Sequence, residues 1–174
     1  MGFLKKVSRL VASENLPVCW TTPKPLNFPV QMMCYKKESK RVKTKMGDSI
    51  IKLSIQSDTD EIDKRKTAQS ICPNLIHSLD ASCLMLAVIK AKDKGVTNFS
   101  LIHDSFGCVA PDVHKLSEAI REAFCEVYEQ DVLTNWAMEM KQMLSEKNAK
   151  KFPHIPERGN LDLSLVKQST FFCV

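Results

Sequence analysis

Residues 74–94, NLIHSLDASCLMLAVIKAKDK, most restrict what this chain can become. Read as a helix, this stretch carries apolar side chains around most of its circumference, so it has to be covered on several sides at once. Pro73 and Gly95 bracket it, the first disfavouring helix before it and the second ending it. Enough chain surrounds it: 174 residues with 44% apolar side chains support one packed domain or a large piece of one. No unbroken apolar run of about 18 residues occurs, so no membrane partner is expected. The N-terminal stretch MGFLKKVSRLVASENL is amphipathic and interrupted by charge, unlike a signal peptide.

After this helix comes LIHDSFG, residues 101–107. Leu101-Ile102 ends one apolar run and Phe106 to Val109 forms another. The spacing predicts a strand over 96–102, a reversal at His103-Asp104 and a return strand. A carboxylate would then project from a stiff support.

The other elements follow from periodicity and punctuation. Phe3, Leu4, Val7, Leu10 and Val11 fall at helical spacing. Pro17, Pro23, Pro25 and Pro29 exclude helix, and Val18 to Thr22 and Val30 to Tyr35 are candidate strands. Val42–Thr44 and Ile50–Ile55 read as the arms of a long β-hairpin. Asp58, with Glu61 three residues on, resembles a capping box and predicts a helix to about Ser70, before Pro73. Pro111-Asp112 opens another helix with an inner face of Leu116, Ile120, Ala123, Phe124, Val127 and Tyr128. A further helix, begun near Asp131, buries Val132, Leu133, Trp136, Met140, Met143 and Leu144. The tail from Lys150 is expected to be Pro-rich and extended. The fold class is α+β, with residues 1–70 as one region (first helix, basic hairpin, connecting helix) and 71–174 as the other.

Charge is unevenly distributed. Residues 1–70 hold 14 Lys+Arg against 7 Asp+Glu, whereas residues 71–174 hold 11 against 13. The excess is densest at Lys36, Lys37, Lys40, Arg41, Lys43 and Lys45. Such a block attracts a polyanion, and a two-stranded ribbon can carry it into a DNA groove; a solvated loop without a partner is the plainer alternative. Seven scattered cysteines with no CxxC pair read as buried thiols in a reducing compartment. That points to the cytoplasm, with the mitochondrion as second choice.

Asp104 at a turn suits a divalent metal. Nucleotidyl transfer uses two ions roughly 3.5–4 Å apart, and Mg²⁺ takes one or two carboxylates plus substrate phosphates. The plainer reading is a hairpin aspartate accepting backbone hydrogen bonds. His103 has no second histidine or cysteine near it in sequence to build a His-based site. His77, Ser78 and Asp80 are too close along one helix to form a hydrolase triad, and no glycine-rich phosphate loop is present.

Several motifs then coincide in order. Residues 72–82, CPNLIHSLDAS, resemble the PNFIHSLDAS helix of phage-type single-subunit RNA polymerases, and LIHDSFG resembles motif C of that family. Gly159 to Leu163 and Ser169 to Phe172 resemble its closing segment, where an aromatic C-terminus folds back toward the active site. Trp20 through the basic block resembles its specificity hairpin. Ser105, where related DNA polymerases more often have Glu, favours the RNA polymerase branch. Phe106-Gly107 looks closer to phage than to mitochondrial enzymes.

The resemblance implies the C-terminal portion of a right-hand polymerase, part of its palm and fingers, with a catalytic hairpin and a protruding basic one. Asp104 would be one of two metal-binding catalytic aspartates, with Mg²⁺ as cofactor, and His103 would support the turn and approach the primer end. His77 would border the template–product duplex. Lys36, Lys37, Lys40, Arg41, Lys43 and Lys45 would meet promoter DNA. The family's first catalytic aspartate, in motif A, lies upstream and is absent here, as is the nucleotide-binding helix. The expected function is DNA-directed RNA synthesis from NTPs, dependent on an upstream polymerase portion. The alternative is a non-catalytic nucleic-acid-binding module or polymerase remnant.

Overall fold

A computed structural model of the chain describes residues 2–102 and 104–172. Helix α1 spans Gly2–Ser13, β1 Val18–Thr21, β2 Pro29–Met32, β3 Tyr35–Met46 and β4 Ser49–Ile62. Helix α2 follows at Lys64–Asp93, then β5 Ser100–Ile102, β6 Ser105–Gly107, α3 Val113–Glu129 and α4 Val132–Met143. Two short helices, α5 Glu146–Ala149 and α6 Ser164–Gln168, complete the order. The strands form three separate two-stranded ladders, β1–β2, β3–β4 and β5–β6. The mixed helix-and-strand class read from the sequence therefore holds.

Two compact units interleave along the chain. The first takes residues 1–19, 31–72 and 140–153; the second takes 20–30, 73–139 and 154–174. In the first unit α1 buries Val7, Ser8, Val11 and Ala12; of the expected stripe Val7 and Val11 are buried, and Phe3, Leu4 and Leu10 are half-buried. Phe3 meets Phe152 edge-on at 6.2 Å. Glu14, just past α1, accepts hydrogen bonds from the Ser145 backbone and hydroxyl and from Asn148.

The largest departure from the sequence reading lies between residues 50 and 73. Asp58 to Glu61 do not start a helix; they continue β4, which runs to Ile62 opposite Tyr35. Thr59 Oγ1 donates to the Lys36 carbonyl, and Glu61 pairs with Lys36. Cross-strand bonds thus outcompete the local cap. Asp63 caps instead, its carboxylate accepting from the Arg65 and Lys66 amides, both at 2.9 Å. Nor does the helix break before Pro73: α2 is continuous through it. A proline removes one ladder bond but its fixed φ suits a helix. Burial of Thr67, Ile71 and Leu75 on either side outweighs that loss.

An 18-residue window of α2 reaches a mean hydropathy of 1.4, so length and composition alone would let this helix cross a bilayer. In the second unit, however, part of that surface is covered by protein, while Ile76 and Ile89 stay exposed. Leu86 and Ala87 pack with Ala123 and Val127 of α3, and Ala91 packs with Leu116 and Ala119. Lys90 pairs with Glu126 at 2.7 Å and Lys94 with Glu118 at 2.9 Å along the same helix pair. Gly95, at φ 89°, ends α2: its amide bonds Lys92 O, and the next amide bonds Ala91 O. Helix α4 buries Trp136, Ala137 and Met140. The strands expected over 96–102 and 106–109 are shorter, three residues each. The tail carries α6 rather than being extended throughout.

Candidate functional site

The β5–β6 hairpin pairs Ser100 with Gly107, Leu101 with Phe106 and Ile102 with Ser105. The hairpin connection runs between Ile102 and Ser105. Asp104 lies in the turn and is exposed; His103 lies outside the described residues. A three-pair ladder is too short to be rigid alone. Its stiffness comes from Phe106, whose side chain packs against Leu86, Ala87, Ala123 and Val127. The same ring reaches Ala91, Val96, Leu116 and Ala119. Gly107 lets the strands close: a Cβ there would stand 3.2 Å from Ser100 O and 3.3 Å from Ser100 Cβ. The Phe106 face of the turn's support is therefore packed, and the carboxylate is offered to solvent.

One exposed carboxylate fits as a single ligand of an ion shared with substrate phosphates. Among the described residues no group of three or more His, Cys, Asp or Glu could hold a metal ion. Asp112 does not supply a second ligand here, because its carboxylate takes Lys115 at 2.8 Å. Asp80 is exposed on α2.

On α2, His77 is exposed and its neighbour Ser78 is half-buried. Ser78 Oγ accepts the Trp20 indole N–H at 2.9 Å, and Ser78 O accepts the Ser82 hydroxyl at 2.7 Å. Ser78 is thus a structural acceptor, in keeping with rejection of a triad. Trp20, only 4% exposed, anchors the turn of α2 that displays His77.

In the first unit, β3 and β4 form a ribbon exposed along almost its whole length. The connection is Gly47-Asp48, and Gly47 has φ 63°, the left-handed value that tight hairpin turns require. Alternation assigns Lys37, Arg41, Lys43 and Lys45 to one face. Lys40 falls on the other face, with Val42, and Lys36 is engaged by Glu61. The register adds a cation that charge counting along one strand overlooks: Lys52 stands directly opposite Lys43. Like charges directly across a ladder repel, and Arg41 and Lys45 flank this pair on the same face. The opposite face displays Val42, Met46, Ile51, Leu53 and Ile55, all exposed. Pairing extends this division across both strands, bringing Lys52 of β4 to the cationic face and Ile51, Leu53 and Ile55 to the face of Val42 and Met46.

A profile of the DNA-dependent RNA polymerase family matches residues 3–151. The chain belongs to this family. Over 172 residues it is 39% identical to DNA-directed RNA polymerase 2, chloroplastic/mitochondrial, of Arabidopsis thaliana, covering 99% of this chain and 16% of that protein. It is 34% identical over the same length to DNA-directed RNA polymerase 1, mitochondrial, of Nicotiana sylvestris, again covering 16% of the relative. It is also 35% identical over 163 residues to DNA-directed RNA polymerase 1A of Nicotiana tabacum, covering 94% of this chain and 99% of that protein. The chain thus spans about a sixth of the longer relatives, where it corresponds to their C-terminal portion. The phage-type resemblance read from CPNLIHSLDAS and LIHDSFG agrees with this membership.

Proposed function

We propose that this chain forms the C-terminal part of a DNA-directed RNA polymerase, in which residues 71–174 belong to the palm and residues 1–70 carry the promoter-contacting ribbon. The observation that carries the reading is an exposed carboxylate, Asp104, on a turn whose support is locked by Phe106 and Gly107. In the reaction the RNA 3′-hydroxyl attacks the α-phosphate of a nucleoside triphosphate and pyrophosphate leaves. Asp104 would hold Mg²⁺ with substrate phosphates, and the second carboxylate would come from motif A of an upstream polymerase portion. Bound there, the ion would stabilise charge on the transferring phosphate. The chain's own contribution is placement, because small displacements of a ligand carboxylate cost rate. His103 would steady the turn, and exposed His77 would border the template–product duplex.

Arg41, Lys43, Lys45 and Lys52 form the group on the ribbon best placed for phosphates, with Lys37 partly offset by Asp58 opposite it. Lys40 and Lys36 would contribute from its margins. Relatives named for chloroplast and mitochondrion speak for an organellar location over the cytoplasm.

The test combines the chain with an upstream portion bearing motif A and measures promoter-dependent RNA synthesis. Asp104→Asn is expected to abolish synthesis while leaving the protein folded; unchanged synthesis would remove Asp104 from the reaction. A second reading, a nucleic-acid-binding module without catalysis, is favoured by the opposed Lys43 and Lys52 alone. It requires no RNA synthesis in that mixture, yet DNA binding with a log–log salt slope of about −3 to −4, as four phosphate contacts give.

A further inference from the structure

We propose that Arg121 is a positioning residue: it holds residues 163–172 on α3, the same helix that braces the Asp104 hairpin. The inference rests on the polymerase reading for its consequence, not for its geometry. Helix α6 has only five residues, so its last carbonyls need outside donors. Arg121 Nη1 donates to Val166 O at 2.6 Å and to Ser169 O at 2.7 Å. A guanidinium at a helix C-terminus forms charge-assisted bonds with the carbonyls gathered there.

The contact continues outward. The Arg121 guanidinium lies 5.4 Å from the Phe172 ring centroid, and Phe172 meets Phe124 edge-on at 5.2 Å. One turn along α3, Cys125 Sγ donates to Leu163 O at 3.4 Å. Residues 121, 124 and 125 share one face of α3 by helical spacing. From the neighbouring stripe, Ala123 belongs to the core cluster against which Phe106 and Ile120 both pack. One rigid helix therefore carries the turn-bracing contacts on one side and the anchored segment on the other. The segment displays Phe171, which is 79% exposed, while Ser169 Oγ donates to Phe171 O at 2.8 Å. Because the segment and the hairpin rest on the same helix, Arg121 keeps the segment in fixed register with the carboxylate turn.

The test has two arms. In the chain alone, limited trypsin digestion reads cleavage after exposed Lys167, inside the anchored segment. Arg121→Gln is expected to speed this cleavage at least tenfold, with Arg121→Lys intermediate; equal rates in wild type and Arg121→Gln overturn the anchor. In the mixture that synthesises RNA, Arg121→Gln is expected to lower kcat about tenfold or more with KM for nucleoside triphosphates changed less than about twofold, as loss of orientation predicts. Arg121→Lys should restore part of kcat, and DNA affinity should stay at the wild-type level. A loosened segment with wild-type kcat overturns the positioning role while leaving the anchor standing. If the wild-type mixture makes no RNA, the polymerase reading and the positioning role fall together, and the cleavage arm still decides the anchor.

Discussion

Replacing Phe106 by Ala should loosen the Asp104 turn and destabilise the second unit by about 2–3 kcal/mol. Truncating a fully buried Phe costs about 3–5 kcal/mol through lost burial and the cavity left behind. Phe106 is half-buried, which places it below that range. It is not a peripheral contact, because its ring belongs to both core clusters formed by α2 and α3. The chain's two tryptophans, Trp20 and Trp136, are both buried in this same unit, so indole fluorescence follows its unfolding. With a urea slope of about 1–3 kcal/mol/M, the midpoint should fall by about 0.7–3 M. Phe106→Leu keeps most of the volume and should lose less than half as much. Amide exchange across residues 100–107 should quicken more than exchange in α4. A midpoint shift below about 0.3 M, or unchanged exchange in the hairpin, would refute the claim that Phe106 braces the turn.

Two further outcomes concern the first unit. Hydrogen bonds from the Ser145 hydroxyl and backbone, then from Asn148, hold the Glu14 carboxyl below its ordinary value of 4.5. A depressed carboxyl favours the fold above its unfolded pKa and loses that contribution as pH falls through the folded one. Protection of the Ser145 amide, relative to Glu14→Gln, should therefore be constant above about pH 5.5 and should shrink below pH 4.5; a difference that grows on acidification would contradict this. Thr67 is fully buried and, among the described residues, its hydroxyl has no hydrogen-bond partner. Thr67→Val should consequently be neutral or stabilising by about 1 kcal/mol in thermal unfolding, and a loss of more than that would mean the hydroxyl is satisfied.

Local sequence was informative where one segment decides its own structure. The stripe of α1, the inner face of α3 and the stop at Gly95 follow from helical spacing and from a glycine's tolerance of positive φ. So does the reversal between β5 and β6, since two apolar β-prone runs flank a polar pair. The basic block was legible as charge, and the polymerase family as the motifs CPNLIHSLDAS and LIHDSFG taken together. Asp58 to Glu61 misled because a capping pair and a strand end can share one sequence. The long-range ladder with β3 chose between them.

What the sequence determined by itself was therefore the type of most elements, the charged stretch, and a carboxylate placed between two strands. Tertiary structure alone decided the register that sets Lys52 opposite Lys43, the packing of Phe106 that stiffens Asp104, and the capture of Val166 and Ser169 by Arg121. The physical reason is sequence separation. Helix periodicity and turn chemistry act over a few residues and leave a local signature. Cross-strand pairing and side-chain capture join residues nine to forty-eight positions apart, and nothing in either short segment records its partner.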